Sequence, residues 1–176
     1  MDNPDTEAPN CVAAGARTGI AFTLNGAAVQ IEVAPRQHMA DVLRQVFDLT
    51  GTHLGCEHGV CGACNILVDG RVVRGCLMLA IQADGADVVT IEGLSASGAI
   101  ADLQETFVRR NALQCGFCTS GMLMTAHALL QQDPMPQRSV IRETISGNVC
   151  RCTGYHAIVD AIETAARERG EARNAR

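Results

Sequence analysis

The spacing of four cysteines in the first half of the chain most constrains how it can fold. They follow the pattern C-x4-C-x2-C and then, after eleven further residues, a last cysteine, as Cys56, Cys61, Cys64 and Cys76. This spacing is typical of plant-type ferredoxins, in which four thiolates hold a [2Fe–2S] cluster. Glycines inside the loop can adopt positive φ and turn backbone N–H groups toward the sulfurs. The pattern therefore predicts a [2Fe–2S] site, called here the ferredoxin-domain site.

Two other metal sites are possible readings of this stretch. Zinc sites commonly use two C-x2-C pairs, whereas the first gap here is four residues. A Rieske cluster uses two cysteines and two histidines. His58 has a suitable spacing from Cys56, but no C-x2-H follows it. We therefore interpret His58 as a loop residue beside a cluster held by four thiolates.

A second group of four cysteines lies in the other half of the chain. Cys115 and Cys118 form a C-x2-C pair, and Cys150 and Cys152 form a C-x-C pair after an interval of 31 residues. Both pairs precede predicted helices, whose N-termini favour the negative charge of thiolates. Two ligands one residue apart suit two irons better than one tetrahedral ion. We therefore predict a second [2Fe–2S] cluster, at the helical-domain site.

Composition excludes several other classes of protein. Eight of the nine cysteines fall into these two groups, which indicates metal binding in a reducing compartment, and Cys11 is left as a free thiol. The net charge of −5, a single Tyr and no Trp disfavour a nucleic-acid surface. No signal peptide and no apolar run of about 20 residues is visible. We expect a cytoplasmic protein without a transmembrane segment.

Local patterns predict an α+β domain followed by a helical one. Alternating residues around Asn25-Gly26 indicate a hairpin, and a helix is expected over 39–47, ended by Gly51. Short strands are expected at 65–68, 71–73 and 88–91. Helical periodicity then predicts a four-helix bundle. The predicted divisions are a flexible arm at 1–17, a ferredoxin-type domain at 18–94, a helical domain at 95–168 and a flexible tail at 169–176.

Three ordered motifs carry a resemblance that covers nearly the whole chain. They are GCEHGVCGAC at 55–64, QCGFCT at 114–119 and GNVCRCTGY at 147–155. Together they resemble the small iron–sulfur subunit of the xanthine oxidase, or molybdenum hydroxylase, family. The resemblance implies a β-grasp plant-type ferredoxin domain followed by a four-helix bundle, each holding one [2Fe–2S] cluster.

The resemblance also implies partners and a role. A large subunit would hold molybdenum bound to molybdopterin cytosine dinucleotide, a medium subunit would hold FAD, and the complex would be a dimer of heterotrimers. Substrate would be oxidised in the large subunit, so this chain would have no catalytic residue. Single electrons would pass from molybdenum to the helical-domain cluster, then to the ferredoxin-domain cluster, then toward FAD. Gln114 matches the family position that contacts the pterin.

Two alternatives belong to other functional classes. A free-standing two-cluster ferredoxin would carry electrons by diffusion and would need no residue facing a pterin. A structural zinc-binding module would use the same cysteines without redox chemistry. The size of the native species separates the first alternative from a subunit, and the metal content separates the second.

Overall fold

The first half of the chain folds around a five-stranded sheet. The structure is a computed structural model that describes residues 15–175, so Cys11 and most of the predicted N-terminal arm lie outside the described residues. The elements of this half are β1 (Thr18–Leu24), β2 (Ala27–Val33), α1 (Met39–Gln45), β3 (Asn65–Val68), β4 (Arg71–Arg74), a 3₁₀ helix (Ala80–Ala83) and β5 (Asp87–Val89). The strand order is β2-β1-β5-β3-β4.

Two tight hairpins and one parallel pairing organise the sheet. Asn25 and Gly26 have φ values of 51° and 84°, and Asp69 and Gly70 have values of 49° and 75°. Positive φ at both central residues is the type I′ geometry that the sequence predicts. β5 then inserts between the hairpins, parallel to β1 and antiparallel to β3. Apolar residues of α1 pack with those of the sheet in one core, so the predicted β-grasp arrangement is confirmed.

Five helices form the second half. They are α2 (Ile91–Ala96), α3 (Ala101–Arg109), α4 (Thr119–Gln132), α5 (Arg138–Ile145) and α6 (His156–Asn174). The last four make the predicted bundle, with α4 packed against α3 and α5 and α6 against α3 and α5. None of the described helices is long and apolar enough to cross a membrane.

Helix α4 joins the two halves of the molecule. Every residue from 121 to 130 is buried, because α4 contacts β3 and β4 as well as neighbouring helices. Leu67 of β3 accordingly belongs to the apolar core of the bundle. The sheet and the bundle are thus packed directly on one another, and α4 brings the bundle's first cysteine pair to the edge of the sheet.

Three boundaries within residues 39–96 differ from the sequence-based expectations. The strand expected at 88–91 ends at Val89, because the Thr90 N–H donates to Asn25 Oδ1 at 2.8 Å and Thr90 then precedes α2. Helix α1 ends at Gln45, and Asp48, with φ of 56°, turns the chain before Gly51. Helix α2 spans the predicted domain division at 94/95.

The predicted tail at 169–176 is largely helical, because α6 continues to Asn174. Arg169 within this stretch donates to Asp102 of α3 at 2.8 Å. This contact ties the last turns of α6 to the bundle and lowers the pKa of the Asp102 carboxyl.

Candidate metal centres

The ferredoxin-domain site lies where a glycine-rich loop meets the β3–β4 hairpin. Cys64 immediately precedes β3 and Cys76 follows β4, so the pairing of Asn65 with Arg74 brings the two thiols together. Both of these cysteines are buried, at 2% exposure. Cys56 and Cys61 lie in the loop before them, where the Cys61 N–H approaches Cys56 Sγ at 3.4 Å. The structure thus gathers all four cysteines of the first motif.

The loop creates different electrostatic surroundings for its thiols. Hydrogen bonds from the backbone at Cys61 and then His58 lower the pKa of Cys56 to about 6. Burial, and then the adjacent Cys64 thiol, raise the pKa of Cys76 to about 11. A coordinated metal deprotonates its thiols, so cluster loading would release protons from this site. The backbone N–H groups that favour the Cys56 thiolate are the donors expected around an anionic cluster.

The helical-domain site lies at the N-termini of α4 and α6. Cys118 is the residue that precedes α4, and Cys150 and Cys152 lie in the loop before α6. The sulfurs of Cys115 and Cys152 are 3.6 Å apart. Cys118 contacts Cys150, and burial followed by this neighbour raises the pKa of Cys118 to about 12. The second group of four is therefore also brought together, as two close pairs.

Paired thiols suit a two-iron cluster. Among residues 15–175, no three His, Cys, Asp or Glu side chains are arranged as a group for one metal ion. In a [2Fe–2S] cluster held by four cysteines, each iron takes two protein thiolates and the ligands are spread over a wider object than a zinc ion. The observed pairs, and the N–H donors beside them, fit that group better than a tetrahedral zinc.

Gln114 lies beside the helical-domain site and at the surface. Its Nε2 donates to the carbonyl of Cys152 at 3.1 Å, so the side chain touches the loop that carries the C-x-C pair. His58 is also exposed, and its Nδ1 makes a short contact with the Cys56 carbonyl. That arrangement agrees with the interpretation of His58 as a loop residue.

Sequence reasoning missed residues that connect the two sites. His53 stacks on Phe117 with ring centroids 4.8 Å apart, and its Nδ1 lies 2.8 Å from the Phe117 carbonyl. The Val149 N–H donates to the Cys61 carbonyl at 2.8 Å. Tyr155 accepts from the Cys150 N–H at 2.8 Å and donates to the Asn148 carbonyl at 3.1 Å. The first two contacts join residues that are far apart in the chain, so no local spacing could have revealed them. Tyr155 lies only five and seven positions from its two partners, and its hydroxyl holds the C-x-C loop in place within the helical-domain site.

Two family models match consecutive parts of the chain. Residues 22–88 match a family described as "2Fe-2S iron-sulfur cluster binding domain". Residues 90–163 match a family described as "[2Fe-2S] binding domain". The division between the two matches, at residue 89, coincides with the end of β5 and lies just before α2.

Curated relatives and a solved structure resemble the chain over most of its length. The nicotine 6-hydroxylase small subunit of Paenarthrobacter nicotinovorans is 53% identical over 146 residues, which are 83% of this chain and 88% of the relative. The caffeine dehydrogenase subunit gamma of Pseudomonas sp. (strain CBB1) is 50% identical over 148 residues, 82% of this chain and 89% of the relative. A crystal structure of quinoline 2-oxidoreductase from Pseudomonas putida 86 contains a chain with 51% identity and a TM-score of 0.83, covering 88% of this chain and 96% of that chain.

Proposed function

Because the chain belongs to the family of small iron–sulfur subunits of molybdenum hydroxylases, we propose a route for single electrons through its two [2Fe–2S] clusters. The chain is a non-catalytic electron-transfer subunit of an oxidoreductase complex. Electrons enter at the helical-domain cluster and leave from the ferredoxin-domain cluster. The observation that carries this route is the contact between the two cysteine loops, where the Val149 N–H bonds the Cys61 carbonyl.

The close cysteine pairs support an assignment of ligands to each iron. In the ferredoxin-domain cluster, one iron would be held by Cys56 and Cys61 and the other by Cys64 and Cys76. In the helical-domain cluster, one iron would be held by Cys115 and Cys152 and the other by Cys118 and Cys150. Each cluster accepts one electron, so the two electrons of a substrate oxidation leave one at a time. The surrounding hydrogen bonds and burial tune the two potentials.

Partner subunits complete the path. A large subunit with molybdenum and molybdopterin cytosine dinucleotide covers the helical-domain site, and a medium subunit with FAD covers the ferredoxin-domain site. Exposed apolar side chains beside both sites support such docking, with Val60 and Leu77 each 59% exposed and Phe117 47% exposed. The assembly is a dimer of heterotrimers in the cytoplasm, where reducing conditions keep thiols available for iron.

The relatives guide the choice of substrates to test. Their names refer to nicotine, caffeine, quinoline and aldehydes. We propose an N-heterocycle or aldehyde as the substrate class of this complex, and the three named compounds together with an aldehyde form the first panel. An artificial dye serves as the terminal electron acceptor in such an assay.

The native complex should contain about four irons per copy of this chain and no stoichiometric zinc, since each [2Fe–2S] cluster holds two irons. Dithionite-reduced protein should give two distinct EPR signals, because the two sites differ in spacing and burial. A single signal that integrates to one spin per chain would contradict two sites, and a colourless zinc protein would favour the structural module. Size-exclusion chromatography tests the complex, because a lone 18.6 kDa species favours the free-standing carrier.

Replacing Gln114 by alanine should slow electron entry without removing iron. Gln114 offers a donor and an acceptor beside Cys152. We propose that it pairs with the pterin of the large subunit, so that its loss leaves a pterin group unpaired at a cost of about 1–3 kcal/mol. EPR, molybdenum content and turnover of the mutant complex are the measurements. Gln131→Ala, at another exposed glutamine, is the matched control. Unchanged turnover at full molybdenum loading would make Gln114 an ordinary surface residue.

A further inference from the structure

One arginine reaches both cysteine loops at once. Arg74 ends β4, and its Nε donates to the Gly59 carbonyl at 3.1 Å, within the ferredoxin-domain loop. Its Nη2 donates to the Gly147 carbonyl at 2.6 Å, just before the C-x-C loop. Its Nη1 bonds the side-chain oxygen of Asn65. None of the ion pairs among the described residues includes Arg74. All three nitrogens of this guanidinium are therefore used on neutral oxygens that belong to the two loops and to β3.

A buried chain of side chains continues from Arg74 through α4. Asn65 Nδ2 donates to Thr125 Oγ1 at 2.8 Å, and Thr125 Oγ1 lies 2.9 Å from Asn148 Oδ1. Asn148 Nδ2 then donates to the Gly62 carbonyl at 3.2 Å. Asn65, Thr125 and Asn148 are only 3%, 6% and 1% exposed. A buried and satisfied polar network constrains all its members together, because each broken bond leaves an unpaired group.

This network surrounds a direct backbone hydrogen bond between the two cysteine loops. The Val149 N–H donates to the Cys61 carbonyl at 2.8 Å. Cys61 is a proposed ligand of the ferredoxin-domain cluster, and Val149 is the residue before Cys150, a proposed ligand of the helical-domain cluster. The network holds Gly147 and Asn148 on one side of this bond, and Gly59 and Gly62 on the other. The position of the Val149–Cys61 bond thus depends on contacts made by Arg74 and Asn148.

We propose that Arg74 is a positioning residue for electron transfer between the two clusters, holding both loops in the register that keeps the Val149–Cys61 hydrogen bond. The inference rests on the proposed function, since it requires both clusters. Electronic coupling falls steeply when a hydrogen bond in the path lengthens or is replaced by a gap. A guanidinium suits the task because its donors form a rigid planar fork, whereas a lysine carries one compact ammonium on a flexible stem.

Three substitutions separate this positioning role from a simple effect of charge. Arg74→Lys keeps the charge and loses the fork, while Arg74→Gln loses both. Arg71→Gln removes the same charge from the exposed start of β4 and is the matched control. Positioning predicts that Lys and Gln at position 74 behave alike. A charge effect predicts that Lys behaves like the wild type.

The experiment uses the purified complex and two readouts other than turnover. The first is the magnetic interaction between the two clusters, seen as splitting in the low-temperature EPR spectrum of dithionite-reduced protein. The second is the rate at which one electron, injected by flash-reduced deazaflavin, equilibrates between the clusters. Both Arg74 variants should change the splitting and slow equilibration about 10-fold or more, as expected for lost contacts around a metal site. Iron content and both signals should remain, and Arg71→Gln should match the wild type.

Three outcomes in the Arg74 and Arg71 variants would overturn the proposal. They are wild-type splitting and rate in both Arg74 variants, full recovery in Arg74→Lys, or an equal loss in Arg71→Gln. If the Arg74 variants lose their clusters, Thr125→Val tests the positioning role instead. This substitution removes the hydroxyl that links Asn65 to Asn148, and Thr125 is not a proposed iron ligand. It should slow equilibration in the same direction, and an unchanged rate and splitting would contradict the positioning role. A wild-type complex without two cluster signals would overturn the proposed function, and this inference with it.

Discussion

Replacing Cys118 by serine should stop substrate from reducing either cluster, whereas replacing Cys64 should stop electrons only at the ferredoxin-domain cluster. Both cysteines are proposed ligands, and a serine oxygen is a poor replacement for a soft thiolate at an iron–sulfur site. Iron should fall from about four to about two per chain in each variant, since each cluster holds two irons. The two variants keep different clusters: the helical-domain cluster remains in Cys64→Ser, and the ferredoxin-domain cluster remains in Cys118→Ser.

The order of reduction makes this prediction specific. In Cys64→Ser the helical-domain cluster remains and receives electrons from molybdenum, but transfer to the flavin stalls. In Cys118→Ser the ferredoxin-domain cluster remains and is cut off from molybdenum. Rapid mixing of each variant complex with the panel compound that turns over, followed by absorbance and EPR, measures both cases. Cys11→Ser, at the cysteine outside the two spacings, is the control. Reduction of the remaining cluster at the wild-type rate in Cys118→Ser would contradict the assigned route.

Local sequence patterns were sufficient to predict the two halves of the fold and where the cysteines gather. Asn25-Gly26 and Asp69-Gly70 specify their hairpins by positive φ alone. The register of the β3–β4 hairpin then places Cys64 beside Cys76. Such features depend on residues close in sequence, and therefore they are visible as spacing.

The contacts between the two halves could not be predicted in this way. Arg74 and Gly147 are separated by 73 positions and Asn65 and Thr125 by 60, and neither pair follows any periodic pattern. The periodicity of α4 indicated one apolar face, yet Thr125 and His127 on this helix are buried as well. Thr125 is buried because β3 covers a side of α4 that an isolated bundle would leave in water, and Asn65 of β3 donates to it. His127 lies on another side of α4, near the Asp102 and Arg169 charges of α3 and α6. The packing of sheet on bundle, rather than any motif, determines how the two sites meet.

Replacing Gly121 by alanine gives the sharpest test of this packing. Local helix propensity predicts that the substitution raises the stability of the fold, whereas the tertiary contacts of α4 predict that it lowers the stability. Gly121 lies in the first turn of α4, where replacing glycine by alanine in a helix ordinarily stabilises by about 1 kcal/mol. A Cβ at this position would, however, lie 2.1 Å from the Gly62 carbonyl oxygen and 3.1 Å from Ala63 Cα. Both are backbone atoms of the ferredoxin-domain loop, so they cannot rotate away as a side chain could.

We therefore expect Gly121→Ala to lower stability by about 1–3 kcal/mol, the range for overpacked sites. At roughly 2–4 °C per kcal/mol for a chain of this size, the unfolding temperature should fall measurably. Gly170→Ala is the matched control, since a Cβ there approaches only the side chain of Met135, at 3.1 Å. It should unfold at or slightly above the wild-type temperature. If Gly121→Ala also unfolded at or above that temperature, the close approach of α4 to the loop would be refuted. Because Gly62 lies between two proposed ligands and accepts from Asn148, the same substitution should change the ferredoxin-domain EPR signal, and Gly170→Ala should not.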